Sequence, residues 1–206
     1  MASLTKTVTA ILLLHAVEDG LLTLGQRITE FLPETVGTAL SGISLRHLAT
    51  HTSGLPAWKP IYKTKLTNPL GEIFAATLNA DPGTNYTYSD LGYILLGTIL
   101  PKVFGKPLDI LAHERIFAPL GMSRTFYKPP DNLKPQTAAT AFCPLRPKQT
   151  LIGEVHDANA HFLGGVSGHA GVFSTLSDMV RYAVAIQYPT MAAHHNLPRI
   201  LSPLAY

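Results

Sequence analysis

One cysteine, Cys143, is all the 206-residue chain contains. That excludes an internal disulfide and any zinc site built from several cysteines. On the sequence alone Cys143 reads as a small apolar residue between Phe142 and Pro144. Charge is also scarce, at 14% of residues against about 25% in ordinary globular chains. The net charge of +3 is too small for a nucleic-acid footprint. No apolar run approaches the roughly 20 residues of a membrane span, because Ala10–Leu14 is interrupted by His15. No repeat and no low-complexity tract occurs. No secretory signal precedes the first motif, which favours the cytoplasm and leaves the periplasm open for a longer parent. Alternating strand patterns are almost absent. There is no Gly-x-Ser-x-Gly elbow and no phosphate-binding glycine loop.

What is present is apolar, with a hydrophobic share of 46% and enough chain for a core. At about 150 residues per domain, one domain over 1–206 is the expectation. A helix is predicted from Ser3 to Asp19, stopped by Gly20 in a left-handed C′ position. A turn and short amphipathic stretch follow to Leu32. Ile43–Thr50 reads as a short helix with Ser44 as N-cap, and 51–56 as a loop. Pro69–Ala80 reads as a helix ending in the turn Asp81-Pro82-Gly83-Thr84. Leu91–Val103 and Leu108–Phe117 are two further apolar helices. Residues 128–150 hold five of the sixteen prolines and read as a long loop. Ser174–Gln187 is a last amphipathic helix, capped by Ser174 or Thr175.

Two short motifs carry chemistry. In Ser3-Leu4-Thr5-Lys6 the two polar residues fall one helical turn apart on one face. A serine hydroxyl needs an adjacent base, and a lysine can supply one. The same spacing equally describes an N-cap serine beside a solvated lysine, and chance produces it constantly. Tyr88-Ser89-Asp90 follows the turn at 81–84 and opens an apolar helix. The Tyr88 phenol could move a proton and Asp90 could anchor Lys6; the bland alternative is a surface tyrosine beside an N-cap acid.

Several motifs occur in order: Ser3-x-x-Lys6, His51-Thr52-Ser53-Gly54-Leu55-Pro56, Tyr88-Ser89-Asp90-x-Gly92-Tyr93, Pro119-Leu120-Gly121-Met122 and Gly168-His169-Ala170-Gly171-Val172-Phe173-Ser174-Thr175. Together they resemble the serine β-lactamase and penicillin-binding-protein superfamily. The likeness is closest to the class C-like branch with its carboxylesterases and D-aminopeptidase or DD-peptidase relatives. It implies Ser3 as the acylated nucleophile and Lys6 with Tyr88 as the proton-transfer pair. Asp90 stands where many members carry Asn, which leans toward an esterase and away from a dedicated β-lactamase. His169, Gly171 and Trp58 are candidates to face a substrate. His169-Ala170-Gly171 is read as a site-facing loop, since the family's third motif lies on a strand after the late helix.

The implied function is an acyl-enzyme hydrolase acting on a small-molecule ester or amide. β-Lactamase or DD-peptidase activity is the enzymatic alternative, and a binding-only fragment the alternative of another class. No cofactor is implied. His156, Asp157, His161, His194 and His195 match no familiar metal-ligand spacing, so no metal is expected. Only Met1 and Ala2 precede Ser3, and the third motif is missing, so the expectation is a partial domain. Its fold would be mainly α, the helical part of the family's α+β fold with most of the antiparallel sheet missing. The first helix would then expose an apolar face open to self-association.

Overall fold

The computed structural model describes residues 1–140, 150–187 and 197–202; Cys143, His194 and His195 lie outside them. Seven α-helices order the described chain: α1 (Thr5–Glu18), α2 (Leu45–Ala49), α3 (Gly71–Phe74), α4 (Asp90–Phe104), α5 (Leu108–Ala112), α6 (Ala158–Phe162) and α7 (Leu176–Gln187). Short 3-10 turns fill much of the rest, and no strand occurs among the described residues. Strand-like pairing is limited to two isolated antiparallel bridges, Arg27 with Ser44 and Phe126 with Phe173. The helical architecture is the one expected.

Local chemistry explains most boundaries. The Ser44 hydroxyl accepts the His47 N–H at the start of α2, and the Ser89 hydroxyl accepts the Gly92 N–H at the start of α4. α4 ends on Gly105 at φ +67°, in the left-handed region that glycine occupies without strain. The Thr175 hydroxyl accepts the Asp178 N–H and starts α7. Beyond α5 the chain runs on through one π turn, His113–Phe117, within the predicted span.

α1 is the central element, and α4 and α5 pack against it. Val8, Ile11, Leu12, Leu13 and Ala16 are all buried, as are Leu91, Ile94, Leu95, Leu96 and Ile99 across the contact. Each fully buried aliphatic side chain contributes about 1.5–3 kcal/mol.

Two expectations need correction. Pro69–Ala80 forms only the single turn of α3, because the Asn79 N–H is drawn off to the Gly54 carbonyl at 2.8 Å. The apolar face of α1 is not exposed: Thr7 and Glu18 alone are fully open, while Ala10, Leu14 and Val17 keep partial exposure. Leu201 and Ile186 lie beside Ala10 and Leu14. Exposed aliphatics sit instead on α7, at Leu176 and Val180.

Candidate active site

Ser3 lies in the 3-10 turn Ala2–Leu4 that runs directly into α1, and Lys6 lies one turn on. Lys6 is only 4% exposed, so its ammonium must find partners inside the protein. It has three. Lys6 Nζ donates to Ser3 Oγ at 3.2 Å and to the His169 carbonyl at 3.3 Å, and pairs with Asp90 Oδ1 at 2.7 Å.

Asp90 and Tyr88 are set by pairing between segments 51–57 and 83–90. The Thr52 carbonyl accepts the Gly83 N–H, the His51 carbonyl the Thr87 N–H, and the Ala57 carbonyl the Asp90 N–H at 2.9 Å. His51 Nδ1 accepts the Ser89 N–H at 3.0 Å, and Ser89 Oγ donates to the Pro56 carbonyl at 2.7 Å. His51 holds this geometry at φ +59°, a rare conformation for a side-chain-bearing residue. Its ring lies against Tyr88 and Tyr93, with centroids 4.5 and 5.0 Å away. Burial pushes the His51 imidazole below the usual histidine range; the Lys6 charge adds to that and Asp90 opposes it. Burial likewise raises the Tyr93 phenol, with Tyr88 and Tyr86 adding to it.

Tyr88 meets Lys6 with its ring face. Nζ stands 4.8 Å from the ring centroid, a cation–π distance. Ser3 Oγ and Lys6 Nζ lie within hydrogen-bond reach of one another. The Tyr88 ring reaches Lys6, but its hydroxyl makes no hydrogen bond to Ser3 or Lys6, so the meeting of three polar atoms expected of a Ser-Lys-Tyr site is not formed here.

The opposite side of Lys6 is built by residues 157–172. Two buried threonines of α1 hold it: Thr9 Oγ1 donates to the Gly168 carbonyl at 2.8 Å, and Thr5 Oγ1 accepts the Val172 N–H at 3.2 Å. Gly168 touches Gly97 of α4 so closely that a Cβ at 168 would stand 2.0 Å from the Tyr93 carbonyl oxygen. Gly171 adopts φ +125° with the Gly165 carbonyl beneath it. Burial pushes the Asp157 carboxyl up. The His169 hydrogen bond and charge, with the Ala160 and Asn159 N–H groups, outweigh this and hold it below the usual carboxylate range.

Two cavities flank the Ser3–Lys6 pair. One, of about 420 Å³, is lined by Ser3, Asp90, His156, Asp157, His169 and Gly171. The other, of about 430 Å³ and more apolar, is lined by Ser3, Lys6, Leu14, His51, Tyr88 and Tyr93. His169 and Gly171 thus face a cavity. The His169 ring nitrogens are nevertheless engaged by Ser167 and Asp157, so the ring offers a substrate no free nitrogen. Trp58 lines neither cavity; it is half-exposed and leans toward Tyr62, with centroids 6.4 Å apart. Ligand atoms of Asp90, Asp157 and His169 lie within 4.8 Å of one another. Lys6 already neutralises Asp90, and His169 Nε2 already bonds Asp157, so internal partners satisfy this trio.

Sequence reasoning singled out neither Thr5, Thr9 nor Ser167. The readable signal was Thr5 and Thr9, four apart and so on one face of a helix that is apolar from Ala10 to Leu14.

The likeness to known proteins runs the length of the chain. Residues 1–203 match the family model described as Beta-lactamase. The chain is 34% identical over 209 residues to N-acetylmuramyl-L-alanine amidase of Bacillus subtilis (strain 168), covering 87% of this chain and 47% of that protein. A class C β-lactamase structure superposes with TM-score 0.75 at 28% identity, covering 90% of this chain and 49% of that one. β-Lactamase/D-alanine carboxypeptidase from Pseudomonas syringae gives 0.70 at 28%, with coverage of 90% and 49%. The chain spans about half the length of these proteins. No described helix is long and apolar enough to cross a membrane. With the family model matched over nearly every residue, the chain belongs to the β-lactamase family.

Proposed function

We propose that the chain works as a serine hydrolase, cleaving a carboxyl ester through an acyl-enzyme within one β-lactamase-like domain. The observation that carries this reading is the 3.2 Å bond from buried Lys6 Nζ to Ser3 Oγ, with Asp90 holding the lysine. Ser3 Oγ bonds to the carbonyl carbon as its proton passes to the Tyr88–Lys6 pair. The Ser3 N–H, at the start of the helical turn, faces the developing oxyanion. Lys6 with Tyr88 returns the proton to the departing alkoxide as its C–O bond breaks. Water then attacks the acyl carbon and gives a proton to the Tyr88–Lys6 pair, which passes it to Ser3 Oγ as that C–O bond breaks and the acid leaves.

The ester preference has a physical basis. An amine leaving group needs a proton before it departs, whereas an alkoxide depends on one less. The Tyr88 hydroxyl has no hydrogen bond to Ser3 or Lys6, so proton delivery is the weaker half of this arrangement. A second reading, amide cleavage in a β-lactam or peptide, draws support from the relatives named amidase and D-alanine carboxypeptidase.

The test is labelling by a fluorophosphonate, with the modified peptide located by mass spectrometry and Ser3→Ala as control. Labelling at Ser3 that the variant abolishes supports the hydrolase. An unlabelled chain points to a protein that only binds. Faster turnover of a p-nitrophenyl ester than of nitrocefin or a D-alanyl-D-alanine peptide supports the ester reading, and the reverse order overturns it.

A further inference from the structure

Three polar residues form a hydrogen-bonded array that the chemistry above does not use. Ser167 Oγ lies 2.8 Å from His169 Nδ1, and His169 Nε2 lies 2.9 Å from Asp157 Oδ1. The order Ser-His-Asp is that of a nucleophilic triad. Ser167 is 4% exposed and His169 1%, so no substrate reaches this hydroxyl. The array acts on something inside the protein. The neighbour it touches is Lys6, through the His169 carbonyl.

We propose that His169, locked by Asp157 and Ser167, is a positioning residue for Lys6. The proposal rests on the Lys6 role given above. A lysine ammonium carries three donors on a flexible four-carbon stem. Ser3 and Asp90 take two of those donors, and the His169 carbonyl takes the third. That third contact turns a swinging amine into one with a single orientation toward Ser3.

The carbonyl needs an anchor because its own segment supplies none. Thr9 grips Gly168 and Thr5 grips Val172. Between them, Ala170 and Gly171 have no side chain that can hold the backbone, and His169 alone has one. Its anchor point is rigid. Asp157 caps α6, with Oδ1 also accepting the Ala160 N–H at 2.8 Å. Asn159 of the same helix binds the Lys59 carbonyl through Nδ2 at 2.8 Å and accepts the Tyr62 N–H.

The experiment compares the full 206-residue chain with Asp157→Ala, Asp157→Asn and Ser167→Ala. One readout is the rate of Ser3 labelling by a fluorophosphonate, together with kcat and KM on a p-nitrophenyl ester. Asp157→Ala frees the ring, so labelling and kcat fall about 10- to 100-fold, the scale expected of a small misplacement of a reacting group, while KM holds. Asp157→Asn still accepts the Nε2–H and recovers most of the rate. The second readout needs no activity: the side-chain ¹⁵N–¹H signal of the Lys6 ammonium, assigned with Lys6→Met. It exchanges faster with water in Asp157→Ala and keeps its wild-type behaviour in Asp157→Asn. Melting curves check folding. If Asp157→Ala does not fold, Ser167→Ala supplies the test, with the same pattern at smaller amplitude.

A folded Asp157→Ala that labels at the wild-type rate with an unchanged Lys6 signal overturns the proposal. A wild-type chain that never labels at Ser3 overturns the hydrolase reading, and the Lys6 signal then decides the positioning role alone.

Discussion

Lys6 is held between two walls of opposite construction. The wall made by α1 and α4 rests on side-chain packing, with Leu12, Leu91, Leu95 and Leu96 all at 0% exposure. The wall made by 157–172 rests on hydrogen bonds and on backbone brought into contact with backbone at Gly97 and Gly168. Packing energy is spread over many atoms, and a side chain can shift to absorb a small change. A glycine contact has no side chain to move, so any added atom displaces the main chain. The first wall should therefore set stability, and the second should set where the His169 carbonyl stands.

The largest effect that would sharpen this contrast is Leu12→Ala. Emptying a fully buried site in α1 should cost about 3–5 kcal/mol in urea unfolding, with ester turnover per folded molecule unchanged. A loss below about 1 kcal/mol would break the comparison. Next comes Gly168→Ala. Its Cβ would stand 2.0 Å from the Tyr93 oxygen and 2.9 Å from the Gly97 nitrogen. The expected loss is about 2–3 kcal/mol, accompanied by slower fluorophosphonate labelling of Ser3. Equal stability loss with unaltered labelling would place the wall's role in stability alone. Thr9→Val leaves the Gly168 carbonyl without its buried donor and should cost about 1–2 kcal/mol, read from the thermal midpoint.

The smallest effect is on pH. His51 Nδ1 accepts the Ser89 N–H, which requires an unprotonated nitrogen. Its folded pKa lies below the ordinary value of 6.5. The unfolded chain thus binds the proton first as pH falls. The His51 contribution is full above about pH 6.5 and is lost as pH drops toward the folded value. The urea midpoint of the wild type should fall over that window more than that of His51→Gln, and parallel curves would remove His51 from the account.

Much of the helical wall was legible because its signals are local. Ser44 announces the start of α2, Asp81–Thr84 a turn, and the apolar run Leu91–Val103 the body of α4, though the cap there is Ser89 and the acid Asp90 already lies inside the helix. Ser3 and Lys6 met as their spacing requires. The errors came from contacts distant in sequence. α3 is short because Asn79 pairs with Gly54, 25 positions away. The covered face of α1 was missed because burial by α4, α5 and Leu201 is written in no local pattern. His169 was legible as a cavity-lining residue because glycines surround it; its ring partners, Ser167 and Asp157, become visible only once the loop is closed on α6.

The loop at 57–62 has a mechanical consequence. Its Ala57 carbonyl fixes Asp90 at the head of α4. Its Lys59 carbonyl and Tyr62 N–H fix Asn159, and through α6 they fix Asp157 and His169. The two acceptors that flank Lys6 from outside α1 are thus referred to one common mounting. A displacement of that mounting is common-mode: Asp90 and His169 travel together, and the gap between them keeps its width. Drift between the jaws is suppressed, and what remains is drift of the whole clamp relative to Ser3.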